Sequence, residues 1–331
     1  MRVLKLMACA LLVGCTGKIE APAQSQGKAI DLSVRPKPAA ITQKPWREVV
    51  INVERFEDIE PLFTQIGGYE ILEETDTLRR LGAKGADGGF IRLQKIGAAD
   101  PARPASSRSW DKGCYFSLMM RAKNLPSIIE DAKALGWTAL TEMAYLEFGP
   151  SKLNIIVLTH KSGVRVQLYE RLTTALPEGF TPFERLSRPF NIMQMVDSRD
   201  RSYDFFQQKL GFDSFYFGGP TVSDTPQISP LGIPIELTPT IPYFTAIMTP
   251  KSGLEYGRIE MIDIEGMQDG VSYADRCNED HTGIIAVRFE VEDLDAVRKD
   301  LRARDVIIRK SSAQSLRVKT PDGSNIEFYQ P

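Results

Sequence analysis

Histidine is nearly absent: His160 and His281 are the only two in 331 residues. His160 lies at the turn side of a hairpin pattern and His281 five residues ahead of a strand pattern, places where an imidazole is ordinarily solvated. Chemistry built on clustered imidazoles therefore has little to draw on. Cysteine is scarce too, with four residues at positions 9, 15, 114 and 277 and no metal-ligating spacing among them. Blocks of like charge are missing, and 41 Lys+Arg against 43 Asp+Glu leave a formal net charge of -2, which removes the electrostatic footprint of a nucleic-acid binder. The apolar run at residues 6–14 is too short to span a bilayer as a stable anchor. What is present is an ordinary globular composition, 42% hydrophobic and 25% charged, in a chain long enough for two domains.

The N-terminus carries Arg2 and Lys5, then the run LMACALLVG, then Cys15. Basic start, short apolar stretch and Leu12-Val13-Gly14-Cys15 resemble a bacterial lipoprotein signal peptide with its lipobox. The resemblance implies a signal peptide over 1–14 and a lipidated Cys15 as the chain's one attachment to a membrane, on the periplasmic face. Thr16 in place of Asp after the cysteine resembles the pattern sorted to the outer membrane. Residues 15–45, rich in Pro, Ala, Gln, Lys and Ser without an apolar period, read as a disordered tether. In that oxidising compartment Cys114 and Cys277 are free to pair or to stand as buried single thiols.

From Trp46 onward one pattern recurs four times: alternating apolar residues, a polar or acidic helix start, helical apolar spacing, then further strands. The copies open at EVVINVER (from Glu48), SLMMRA (from Ser117), NIMQMVDS (from Asn191) and AVRFEVED (from Ala286). In the last, Leu294, Val297 and Leu301 mark the helix face. The strands behind each helix are joined by turns such as Lys161-Ser162-Gly163 and Pro321-Asp322-Gly323. Each unit is thus β-α-β-β-β, and the fold class is α+β. The third copy is lengthened by residues 219–242, whose six prolines suit an irregular excursion that could serve as a lid or lie idle on the surface. A break near 173–189 divides the pattern into domains at 46–175 (modules 1 and 2) and 188–331 (modules 3 and 4).

Four such modules, with "FNIMQMVDSRDRSYDFFQQKLGF" and "YGRIEMIDIEG" in the third and "AVRFEVEDLDAV" and "TPDGSNIEFYQP" in the fourth, resemble the vicinal oxygen chelate superfamily. That family includes glyoxalase I, extradiol dioxygenases and the fosfomycin and bleomycin resistance proteins. The resemblance implies two cupped-sheet domains, each from a pair of modules, and in metal-dependent relatives a ligand at the head of each module's first strand and another on its last. Carried over by position, the C-terminal pair offers Asn191, Glu260, Ala286 and Glu327, and the N-terminal pair Glu48, Arg92, Ser117 and Gln167. Alanine has no donor and Arg92 opposes a cation, so the resemblance implies a degenerate metal site: no cofactor, or one Mn, Fe or Mg ion on Asn191, Glu260 and Glu327. Glu260 and Glu327 are the candidate catalytic carboxylates. Asn191, Met193, Met195, Phe289 and Tyr329 are the candidate ligand-binding residues, although strand Met and aromatic residues serve equally well as core. Three functions follow: a lipid-anchored binder of a small hydrophobic or aromatic molecule, a divalent-metal lyase, isomerase or oxygenase, and an envelope interaction module without a ligand.

Overall fold

The computed structural model of the protein describes residues 44–250 and 255–331. The expected signal peptide, Cys15 and the expected tether as far as residue 43 lie outside the described residues. Module 1 supplies β1 (Glu48–Val53), β2 (Glu70–Glu74), β3 (Leu78–Gly82) and β4 (Phe90–Lys95). Its expected helix is only two short helical turns, Phe56–Asp58 and Leu62–Ile66, separated by Pro61, which has no N–H to continue the ladder. Module 2 supplies β5 (Tyr115–Ala122), α1 (Leu125–Ala134), β6 (Thr138–Ala139), β7 (Ala144–Phe148), β8 (Ser151–Thr159) and β9 (Arg165–Arg171). Module 3 supplies β10 (Leu186–Met195), α2 (Arg199–Asp204), β11 (Asp213–Thr221), β12 (Tyr243–Thr249) and β13 (Arg258–Ile264). Module 4 supplies β14 (Gly283–Glu290), α3 (Leu294–Ala303), β15 (Ile308–Ser311), β16 (Ser315–Lys319) and β17 (Asn325–Tyr329).

Among the described residues three α-helices form, and each starts at a side-chain cap. Asn124, Ser198 and Asp293 accept from the N–H three residues on, satisfying a donor with no partner inside the helix. Leu294, Val297 and Leu301 are all buried, as the spacing predicts.

Two large mixed sheets result, as expected of two cupped sheets, but the modules are shared between them differently. The first sheet runs β15-β16-β17-β14-β1-β4-β3-β2 and the second β11-β12-β13-β10-β5-β9-β8-β6, with β7 beside β8. Modules 1 and 4 therefore share one sheet, and modules 2 and 3 the other. This corrects the division at 46–175 and 188–331. The seams are antiparallel pairs of first strands: β1 with β14, setting Val50 opposite Ala286, and β10 with β5, setting Asn191 opposite Met119. The Pro- and Gly-containing stretch before β10 is a connection within one sheet and not a domain boundary.

Period-two alternation divides each strand between a helix-packed face and a cup face. On the helix side a single core joins both sheets: Val49 and Ile51 of β1, Leu118 and Met120 of β5, Ile192 of β10, Val287 and Phe289 of β14, and Ile326 and Phe328 of β17. Phe206, Phe212, Phe289 and Phe328 form a chain of ring contacts 5.6–5.7 Å apart that ties module 3 to module 4. A second apolar cluster, around Met119, Met193, Met195, Ile262 and Ile264, lies on the cup side of the second sheet.

A Cys114–Cys277 disulfide, with Cα atoms 5.3 Å apart, staples the start of β5 in the second sheet to the loop ahead of β14 in the first. Gly113 lets the two segments meet: with φ +85 it takes a left-handed conformation, and a Cβ there would stand 2.5 Å from the Ala274 nitrogen.

Candidate functional site

The cup of the second sheet is built on four strands, β10, β13, β5 and β9, which carry four of the positions singled out in the sequence. β10 presents Asn191, Met193 and Met195; β13 presents Glu260, Ile262 and Ile264; β5 presents Ser117 and Met119; β9 presents Gln167 and Tyr169. Register joins them across the seam, with Met193 beside Glu260 and opposite Ser117, and Met119 beside Gln167. Asn191 and Glu260 do come together, as expected. The Asn191 Nδ2 donates to Glu260 Oε2 at 2.7 Å. Their neighbours from the other module are Ser117 and Gln167, whose hydroxyl and amide oxygen are 3.4 Å apart, in place of Ala286 and Glu327.

Glu327 is in the other sheet, paired with Arg288 and Arg317. The expected convergence of Glu260 and Glu327 on one hollow, and with it the ligand set Asn191, Glu260 and Glu327, is therefore corrected: β13 and β17 belong to different sheets. Tyr329 goes with Glu327, its ring 3.9 Å from the Arg288 guanidinium. Phe289 is wholly in the helix-side core and touches neither cup, because it alternates with Arg288 on β14. Met193 and Met195 stay on the cup side of β10.

The insertion in module 3 covers this cup. Leu231 and Ile233 are buried in the same apolar cluster as Met119, Met193, Met195 and Ile262. The segment is held in shape by its own bonds: Ser223 N–H to the Thr238 carbonyl at 3.0 Å, and Thr238 Oγ1 accepting from Gln227 N–H at 3.2 Å. Of the two readings of this stretch, the covering one describes its packing.

In these apolar surroundings Glu260 is an unusual group. It keeps some contact with solvent although its carboxyl is enclosed by the surrounding side chains. Burial pushes its carboxyl up from 4.5 to about 7, against the opposing pull of the Asn191 amide and the Arg258 charge. Three tyrosines sense that charge. Burial first, then Glu260, raises the Tyr169 and Tyr216 hydroxyls, while Tyr243 is pushed up to about 12 by burial, Tyr216 and Glu260 in that order. All three remain phenols at neutral pH and can donate hydrogen bonds. Tyr169 also stands edge-on to Phe190 at 5.5 Å. These tyrosines were not singled out from the sequence; Tyr169 was within reach, since it follows Gln167 by two residues on the same face.

The donors do not fit a divalent ion. Ser117, Gln167 and Asn191 are neutral, Glu260 is the one carboxylate, and the Asn191 N–H is already spent on it. The buried Asn191 Oδ1 has no partner, but two amide oxygens, one of them already accepting from Ser117, beside a single carboxylate are too few charged or imidazole donors for a tight site. Among the described residues no three His, Cys, Asp or Glu side chains stand close enough to hold a metal. His160 makes a tilted ring contact with Trp137 and is bonded to Ser162, and His281 is bonded to Asn278, so neither imidazole joins the cup's donors.

Paired β-α-β-β-β modules closing two cupped sheets define the vicinal oxygen chelate fold. Among solved structures the chain is similar to glyoxalase I from Zea mays, at 13% identity and a TM-score of 0.57 over 86% of this chain and 92% of that one. A point mutant of the same enzyme gives 14% and 0.60 over 86% and 92%. A putative dioxygenase from Bacillus subtilis gives 10% and 0.53 over 88% and 86%. No family model and no curated protein sequence matches the chain. At these identities the likeness is one of fold.

Proposed function

We propose that this protein binds a small apolar or aromatic molecule in the cup of the second sheet, with Glu260 as the group that recognises it. The observation that carries the reading is the Asn191–Glu260 pair on the floor of an otherwise apolar, tyrosine-edged cup covered by Leu231 and Ile233. A pocket of that kind takes its affinity from apolar burial and its orientation from one or two polar groups. A carboxyl titrating near 7 can accept from a ligand hydroxyl or amine when ionised, and donate to a carbonyl when protonated. On this reading the chain reaches its place of work as a lipoprotein, anchored by Cys15 on the periplasmic face of a bacterial membrane, the outer one by the residue after the cysteine; the Cys114–Cys277 disulfide supports an oxidising compartment.

The same carboxyl favours a second reading, proton transfer on the bound molecule, because a base with pKa near the working pH can both take and return a proton. Glyoxalase-type metal chemistry does not enter, since the donors do not fit an ion. The experiment is a fluorescence titration of the purified full-length protein with a broad set of aromatic compounds. A binder is expected, with Glu260→Gln weakening it about tenfold or more, the loss of one hydrogen bond to a charged group. Exchange of a ligand C–H for deuterium, abolished in Glu260→Gln, would select the catalytic reading. Absence of any binder would leave the envelope interaction module standing instead.

A further inference from the structure

The cup of the first sheet has the opposite chemistry. Its floor gathers Glu48 from β1, Arg80 from β3, Arg92 from β4, Arg288 from β14, Arg317 from β16 and Glu327 from β17. Arg288 serves both carboxylates, Nη1 donating to Glu48 Oε2 at 2.6 Å and Nε to Glu327 Oε1 at 2.9 Å. Arg317 donates to Glu327 Oε2 at 2.5 Å and also to Glu279 at the rim. Two guanidiniums thus satisfy the two glutamates.

Arg80 and Arg92 are held differently. Their Nη1 atoms stand 3.5 and 3.9 Å from the Glu48 carboxylate, and neither guanidinium makes a hydrogen bond. The Nε of each is buried without a partner. Arg80 has a further contact at 4.0 Å with Glu73, itself 43% exposed, and lies 5.2 Å from the Phe90 ring. The two side chains are 30% and 21% exposed, so solvent and a small solute reach them. Four guanidiniums against two floor carboxylates, with the half-exposed Glu73 reaching only Arg80 and only at 4.0 Å, leave the floor net positive. Glu279 at the rim is shared with Lys310 and cannot cancel that charge. A cation partly removed from water without a bonded partner is costly, and an oxyanion bridging two guanidinium forks removes that cost.

We propose that this cup is a second binding site, for a small molecule bearing a carboxylate or phosphate group, with Arg80 and Arg92 as its two forks. The site is separate from the apolar cup and stands whether or not the function proposed for that cup is correct. Arg92, whose presence argued against a cation from the sequence onward, is on this reading the primary contact.

The test is calorimetric titration of the full-length protein with inorganic phosphate and, in a second arm, succinate, each against sodium chloride at matched ionic strength. Saturable binding of either is expected, the stronger arm identifying the head group. Arg92→Gln is expected to weaken it at least tenfold, and Arg80→Gln provides a second variant should the first fail to fold. Arg92→Lys, which keeps the charge and loses the fork, should fall between. Neither anion binding above the chloride control, or binding undiminished in the folded glutamine variants, would overturn the proposal and leave the cluster as an internal ion-pair network.

Discussion

Replacing Glu260 by Gln should make the protein more stable at alkaline pH and leave it unchanged in acid. In the folded chain the carboxyl holds its proton up to about 7, against an ordinary value of 4.5. The folded state therefore binds the proton more tightly than the unfolded one. Below 4.5 both states are protonated and the group contributes nothing; between 4.5 and about 7 stability falls as pH rises; above 7 the whole cost is present. A displacement of this size amounts to about 3 kcal/mol. Glutamine has nearly the same shape and keeps an oxygen for the Asn191 amide, but has no charge to bury. Urea unfolding of wild type and Glu260→Gln, with the disulfide intact, measures the difference directly: near zero at about pH 4 and up to about 3 kcal/mol in favour of Gln at about pH 8. The comparison must be between the two proteins, because burial also lifts Asp263 to about 6 and its titration falls in the same window. A difference that is the same at both pH values, or a glutamine variant less stable at pH 8, would refute the argument that Glu260 is desolvated by the cup.

Phe289→Ala should lower stability by about 3–5 kcal/mol by opening a cavity between modules 3 and 4, while ligand affinity in the second cup stays as it was, because the ring lies in the helix-side core; denaturation and titration of one preparation check both. Removing the disulfide with Cys114→Ser and Cys277→Ser should cost about 2–5 kcal/mol, read as a lower urea midpoint, since the bridge closes a loop of 163 residues and joins the two sheets. Cys15→Ala should move the protein from the membrane to the soluble periplasmic fraction and abolish acyl labelling; unchanged partitioning would remove the lipoprotein reading.

Much of this architecture was legible before any coordinates. The four modules, the α+β class, the helix faces such as Leu294, Val297 and Leu301, and the interrupted third module all follow from periodicity, capping residues and prolines, which act over a few residues at a time. Asn191 and Glu260 were legible as partners because both belong to module 3, whose β10 and β13 run side by side. Their register brings them to the same part of one face. Glu327, Tyr329 and Phe289 were misplaced for want of longer-range information. The tyrosines on β11 and β12 were missed because their strands reach the cup only through the pairing of β12 with β13.

The sequence by itself determined the repeating unit and which side of each strand is apolar, since alternation and helical spacing are properties of neighbouring residues. Tertiary structure alone decided which modules share a sheet. β1 and β5 are buried along their whole length and β10 almost so, and a strand buried on both faces carries no pattern that names its partner. The choice is made by long-range antiparallel pairing of β1 with β14 and β5 with β10. That choice separated the two glutamates, leaving Glu260 in an apolar cup and Glu327 among arginines.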